Sequence, residues 1–177
     1  MRVIAGEFRS RKLKALPGLD TRPTPDRLRE TLFNILAPRL DGVTFMDAYA
    51  GTGAVGIEAV SRGAARAIFI EKSRAAVEII RENLRTLGID NRAEVFTGKA
   101  ASVLERLAAD IVFLDPPYEL EREYEQTLTL LGSRRNRLVI VQHSSRSTLA
   151  ESYGELARSR VVKQGDNWLS FYEILIH

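Results

Sequence analysis

From residue 41 onward, short apolar runs alternate with longer stretches of helix formers. The runs predict strands at 43–48, 67–71, 93–97, 111–115 and 137–142. Between them the pattern predicts helices at 54–62, 73–87, 101–108 and 120–131. Regular strand–helix alternation means a parallel sheet covered on both faces. The pattern then changes. A short helix is expected near 147–153, followed by strands near 156–163 and 168–176 joined by Gly165-Asp166-Asn167, the signature of an antiparallel hairpin. The prediction is therefore an α/β fold with a mostly parallel, seven-stranded sheet and a C-terminal hairpin.

The first forty residues do not follow this alternation. Arg2 to Ala5 and Lys12 to Leu16 read as two short strands around a tight, basic turn, Gly6 to Arg11. Pro17-Gly18 is a turn signal, and Thr21 to Pro25 must be extended because a residue before proline avoids the α region. Thr24 is placed to cap a helix with Pro25 at its first position. That helix runs from about Asp26 to Leu36, with Leu28, Leu32, Phe33, Ile35 and Leu36 as its apolar stripe. The chain thus divides into an extension, 1–40, and a core, 41–177, within one domain.

Charge sharpens this division. Residues 1–39 hold nine of the 26 Lys and Arg residues but only four of the 23 acids, so this segment carries +5 and the remainder −2. A basic arm on a nearly neutral body suits a polyanionic partner. Phe8 between cations could stack on a base while Arg2, Arg9, Arg11 and Lys12 hold phosphate, or it could pack against the body. Arg22, Arg27 and Arg29 lie at or near the start of a helix, where its dipole disfavours cations. They therefore meet an anion, unless Asp26 and Glu30 balance them.

Composition removes other classes. The chain has 177 residues and no cysteine, which excludes disulfides, thiolate metal sites and cysteine nucleophiles. No apolar run approaches the roughly 18 residues of a membrane span, and the start lacks the apolar core of a signal peptide. A cytoplasmic protein without a metal is expected.

The chemistry begins at Asp47-Ala48-Tyr49-Ala50-Gly51-Thr52-Gly53, between the first predicted strand and helix. Gly51 and Gly53 can take positive φ and let a ligand touch the backbone. Glu71, ending the second strand eighteen residues after Gly53, can accept hydrogen bonds from both hydroxyls of a ribose. Turn and acid together point to an adenosine-type ligand. Asp115-Pro116-Pro117-Tyr118 follows the fourth strand. Its prolines remove two N–H donors and leave an acceptor-rich ledge, the Asp115 carboxylate and the Pro116 carbonyl, beside the Tyr118 ring. Such a ledge suits a planar ring bearing an NH2 group.

Asp-Pro-Pro-Tyr with the glycine turn resembles the S-adenosylmethionine-dependent amino-methyltransferases. Arg2-Val3-Ile4-Ala5-Gly6, Arg9-Ser10-Arg11, Thr21-Arg22-Pro23-Thr24, Arg27-x-Arg29-Glu30, Glu58-Ala59 and Ser61-Arg62-Gly63-Ala64 narrow the resemblance to the RsmD family, bacterial 16S ribosomal RNA guanine-N2 methyltransferases. The resemblance runs over nearly the whole chain. It implies a Rossmann-like class I methyltransferase fold. It implies an S-adenosylmethionine cradle of Asp47, Tyr49, Ala50, Gly51, Gly53, Glu71, Lys72, Gly98, Lys99 and Ala100, with S-adenosylhomocysteine as product. It also implies catalysis at Asp115 to Tyr118. The substrate it implies is 16S rRNA in the assembled or assembling small subunit, and the protein is expected to act as a monomer. Two residues depart from the pattern: Lys99 stands after Gly98 where the family usually has Asp, and Gln142-His143 stands where it often has Glu-His.

Rival readings keep the same core. Methylation of an adenine or cytosine amine would use the same ledge. A decayed, purely RNA-binding module would account for Lys99 and Gln142. A nicotinamide oxidoreductase leaves Asp-Pro-Pro-Tyr without a role.

Overall fold

A computed structural model describes residues 1–17, 24–117, 121–133 and 138–174. It follows the predicted alternation: α1 (Asp26–Leu40), β1 (Thr44–Asp47), α2 (Ala54–Ser61), β2 (Arg66–Glu71), α3 (Arg74–Leu87), β3 (Ala93–Thr97), α4 (Ala100–Leu104), β4 (Ile111–Leu114), α5 (Glu121–Leu131) and β5 (Leu138–Ser144). Then come β6 (Ser152–Tyr153), β7 (Leu156–Gln164) and β8 (Asn167–Ile174). One sheet joins all eight strands in the order β3-β2-β1-β4-β5-β8-β7-β6. β1 to β5 pair in parallel and the last three strands are antiparallel. Among the described residues no helix is long and apolar enough to cross a membrane.

The apolar runs are continuous because both sheet faces are buried. Met46, Ile68, Ile70, Val112, Leu114, Val139 and Val141 pack with α4 and α5 on one face. Phe45, Ile111, Phe113 and Ile140 meet α1 and α2 on the other. Ala67 and Phe69 pack there against α2 and α3. All eight residues of α2 are buried. Gly56 lets that helix lie on β2, since a Cβ there would stand 2.4 Å from the Phe69 ring.

Five expectations need correction. The sheet has eight strands, and no helix forms at 147–153: Ser152 and Tyr153 pair with Ala157 and Leu156 instead. The turn at Gly154 takes φ 59°, which the glycine permits at no steric cost. The first helix extends through Pro38 to Leu40, which is buried against the core. Its N-cap is Pro25, without a side-chain cap bond, because the Thr24 hydroxyl is engaged elsewhere. The N-terminal hairpin is narrower than two strands, a single antiparallel bridge between Arg2 and Lys12.

What fastens that hairpin to the core is Glu58, fully buried on α2. Its carboxylate accepts from the Ile4 and Ala5 backbone N–H groups at 2.9 and 3.0 Å and from Arg62 Nε at 2.8 Å. Arg29 Nε lies 3.7 Å from the other oxygen. Ser61 adds bonds to the Ala5 carbonyl and the Phe8 N–H. Gly6, at φ 88°, passes so close to the Ser61 carbonyl that a Cβ would sit 2.0 Å from it. Removing one partner of a buried ion pair costs about 3–5 kcal/mol. Glu58→Ala should therefore lower stability by about that amount in urea unfolding and strip the Ile4 and Ala5 amides of hydrogen-exchange protection. Unchanged protection would show that the arm is held by something else.

Candidate active site

Parallel pairing sets the floor of the site. Asp47 pairs with Phe69 of β2 and Phe113 of β4, and Leu114 pairs with Val141 of β5. The carboxyl ends of β1, β2, β4 and β5 therefore lie along one edge. The strand order reverses between β1 and β4, the position where open α/β sheets leave a crevice. A cleft of about 830 Å3 opens there.

Nearly all of the predicted cradle lines this cleft: Asp47, Tyr49, Ala50, Gly51, Glu71, Lys72, Gly98, Lys99 and Ala100. Gly53 lies just behind the lining as the N-cap of α2, at φ 86°. Asp115, Pro116 and Pro117 line the same cleft from the β4 side. Tyr118 lies outside the described residues, as does Arg22.

Two of the cleft acids, Glu71 and Asp47, are positioned by backbone donors. Glu71 accepts from the Gly51 N–H at 3.0 Å with one oxygen and from the Ser73 N–H at 2.7 Å with the other. A carboxylate has about four acceptor positions, so two remain for a ligand. The N-cap of α3 is Ser73, whose side chain accepts from Ala76 N–H, so Glu71 is spared that duty. Gly51 takes φ 57°, and a Cβ there would meet nothing within 4 Å, so the turn is open toward a ligand. Asp47 is buried and accepts from the Gly56 N–H at 3.1 Å. Burial, helped by the nearby Glu71 charge, pushes its carboxyl up to about 7 against the bond from Gly56. Tyr49 donates to Glu123 Oε2 at 2.6 Å, tying the glycine turn to α5. Burial and that carboxylate push the phenol upward.

Several site residues lay beyond sequence reasoning. Glu123 and Asn167 line the cleft, as do Met1, Ala15 and Leu16 at the two ends of the arm; Thr24, expected as a helix cap, and Gln142, marked as a departure from the family pattern, line it with them. Asn83, buried on α3, accepts from the Lys14 N–H and donates to the carbonyls of Lys14 and Thr52. It links the arm to the glycine turn. No pattern in one sequence marks these contacts, because each joins segments distant in the chain.

The predicted RNA-facing set divides. Arg2, Arg9, Arg11, Lys12 and Arg27 are exposed. Arg29 is fully buried and is corrected from a phosphate contact to a structural one: it donates to the Arg2 carbonyl at 2.6 Å and pairs with Asp26 and Glu58. The anion it meets belongs to the protein. Phe8 is half-buried against the α2–α3 core, as a packing residue would be.

A glycine turn after β1, an acid ending β2 and an Asp-Pro-Pro ledge after β4, on this sheet, are the arrangement of a class I methyltransferase. The chain belongs to the RsmD family: residues 1–173 match the family model described as Conserved hypothetical protein 95. It is similar to ribosomal RNA small subunit methyltransferase D of Escherichia coli, 44% identical over 133 residues, 74% of this chain and 66% of that one. A solved structure of the methyltransferase candidate yhhF of Escherichia coli is 36% identical, with a TM-score of 0.86 over 98% of this chain and 97% of that chain. The fold also matches an RNA methyltransferase from Salinibacter ruber in complex with S-adenosyl-L-homocysteine, at 18% identity and a TM-score of 0.67 over 86% and 93% of the two chains.

The raised Asp47 carboxyl has a sign that can be tested. The folded protein holds a proton that the unfolded chain, with an ordinary value of 3.8, gives up. Stability from this group is present below about pH 4 and is lost as pH rises through about 7. Asp47→Asn keeps an acceptor for Gly56 and carries no charge. Its stability relative to the parent protein should rise between about pH 4 and pH 7 and level off above about pH 7 in urea titrations. A pH-independent difference would place the carboxyl at an ordinary value.

Proposed function

We propose that the protein transfers a methyl group from S-adenosylmethionine to the N2 amine of a guanine in 16S rRNA. The observation that carries this reading is the meeting of the Asp115–Pro116 ledge and the Gly51–Glu71 cradle in one cleft. The relative from Escherichia coli bears the name of a small-subunit rRNA methyltransferase, and the Salinibacter ruber enzyme is a complex with S-adenosyl-L-homocysteine. Both names support the same pairing of donor and acceptor.

The cradle fits the methyl donor. Glu71 has acceptor positions for the ribose hydroxyls, Gly51 leaves backbone room, and Asp47 lies where a cationic group would favour its ionised form. Bound there, the donor supplies an activated methyl group whose bonding pair stays on sulfur. The acceptor is a poor nucleophile, because its lone pair is delocalised into the ring. Asp115 and the Pro116 carbonyl accept its N–H hydrogens and favour a pyramidal nitrogen as the new bond forms. The amine sheds one proton, and the Asp115 carboxylate is the adjacent acceptor. Alignment of the two reactants in the cleft supplies much of the remaining acceleration.

The base must leave its stack to enter, which costs a few kcal/mol. Tyr118 stacking and phosphate contacts from Arg2, Arg9, Arg11, Lys12, Arg22 and Arg27 would offset that cost. In this reading residues 1–40 are an RNA-binding extension and 41–177 the cofactor-binding catalytic core. The protein works as a cytoplasmic monomer on assembled or assembling small subunits.

Asp115→Ala should lower methyl transfer to small subunits by about 10²-fold or more while calorimetry shows S-adenosylmethionine affinity within a few-fold of the parent protein. Full activity would remove Asp115 from the mechanism. Nucleoside mass spectrometry on the product separates N2-methylguanosine from methylated adenosine or cytidine. Lys99 lines the cofactor wall and can only donate. Lys99→Asp restores an acceptor for an adenine amine and should tighten S-adenosylmethionine binding about fivefold, the net worth of one hydrogen bond.

A further inference from the structure

Gln142 is a buried polar side chain of the cleft that the proposed chemistry leaves unused. It is 3% exposed and lines the cleft from within β5, two residues before the strand ends at Ser144. Leu114 pairs with Val141 in parallel register, so Asp115 and Gln142 are the next residues on neighbouring strands. Neighbouring strands lie about 4.8 Å apart. Gln142 is also held in place: its Oε1 accepts from the Thr24 hydroxyl at 3.1 Å, and its backbone carbonyl accepts from the Tyr124 hydroxyl at 3.3 Å. With Oε1 engaged, the amide nitrogen is the half that remains for a ligand. Among the described residues that nitrogen shows no hydrogen-bond partner, and it is not among the buried atoms left unpaired.

Resting on the guanine-N2 reading above, we propose that Gln142 is a specificity-determining residue that donates its amide N–H to O6 of the target guanine. Guanine presents the N2 amine, the N1–H and the O6 carbonyl in sequence: donor, donor, acceptor. A carboxylate on one strand end accepts from the first two, and an amide donor on the next meets the third. Cytosine presents an amine and a carbonyl at the outer places, but its N3 lone pair would face the Asp115 carboxylate. Adenine offers an amine and N1, then only a C–H where Gln142 would donate. A carboxylate in place of Gln142 would bring only acceptors to this position; the amide adds the donor. The Thr24 bond fixes which half of the amide faces the base, so the linker behind the basic arm takes part in selection.

An internal competition tests this. Small subunits are reconstituted with 16S RNA transcribed from a mixture of GTP and 6-thio-GTP. The N2-methylated products are then quantified by nucleoside mass spectrometry against the input ratio. Sulfur at position 6 keeps the N2 amine and the N1–H but accepts hydrogen bonds poorly. The parent protein should favour the oxygen base by about fivefold, and Gln142→Leu should bring that preference to within about twofold while retaining S-adenosylmethionine binding by calorimetry. Thr24→Val, which frees the amide to turn over, should give an intermediate preference. Equal discrimination by parent protein and Gln142→Leu, or none by the parent protein, overturns the proposal and leaves guanine methylation standing. Absence of N2-methylguanosine from the parent reaction overturns the underlying reading, and the proposal with it.

Discussion

Parallel strand register is the constraint on which this protein depends. Every strand from β1 to β5 runs the same way, so their carboxyl ends meet at one edge. Asp47, Glu71, Asp115 and Gln142 are far apart in sequence and come together only because three pairings, β2–β1, β1–β4 and β4–β5, are in step. A one-residue slip in any of them would turn a cleft residue toward the opposite face of the sheet. The thick apolar cover on both faces enforces that register. Phe69, Phe113 and Ile140 fill one side while Ile70, Leu114 and Val141 fill the other. Core packing and site geometry are thus the same specification, and the short polar loops beyond the strands can vary in chemistry without moving their anchors.

The basic arm shares this rigidity through a different interaction. Glu58 collects two backbone N–H groups and two guanidinium groups in a site without solvent. Burial lowers the Arg29 value from its ordinary range, and the Glu58 and Asp26 charges oppose that shift. Among the described residues, Nε and Nη1 of Arg29 and Nη2 of Arg62 have no hydrogen-bond partner, which is the cost of placing two cations on one carboxylate. The return is position. Asn83 ties Lys14 to the Thr52 carbonyl, and Met1 and Leu16 reach the cleft wall. Cations carried by the arm are therefore set at fixed places relative to the glycine turn, and contacts they make need not first order a loose chain.

The elements that repeat were legible in the sequence, and the contacts that join them were not. Apolar runs and glycine turns marked β1 to β5 and their helices because burial on both faces leaves an unbroken signal. The two-residue β6 was lost, since Ser152-Tyr153 is too short to show a period and only Gly154 marks its turn. In the site, Asp47, Glu71 and Asp115 were legible because strand ends and turn chemistry fix where they emerge. Arg29 was misplaced for the opposite reason. Its position near a helix start suggested an external anion, and only tertiary packing reveals that Glu58, 29 residues on, is that anion. Thr24 was assigned to a helix cap by local rules, yet its hydroxyl reaches Gln142, 118 residues away. Local propensity yields wherever a buried partner offers more.

Charge is sorted across the cleft in a way that matches two ligands of opposite sign. Among the described residues, Asp47, Glu71, Asp115 and Glu123 are the acids of the lining and Lys72 and Lys99 its cations. Outside, the exposed arm carries Arg2, Arg9, Arg11 and Lys12. A cationic methyl donor is favoured within such a cavity and a phosphate backbone is not; the reverse holds along the arm. What can pass from one zone to the other is the neutral part of a nucleotide, its base. The sign pattern therefore works as a filter alongside shape. In the proposed reading it would hold the polyanion at the rim while a flipped base enters, and would keep free nucleotide phosphate from competing for the cradle. Lys99 shares the proposed cofactor wall with Lys72, and it would weaken that filter where the donor's neutral ring, rather than its charged end, would lie.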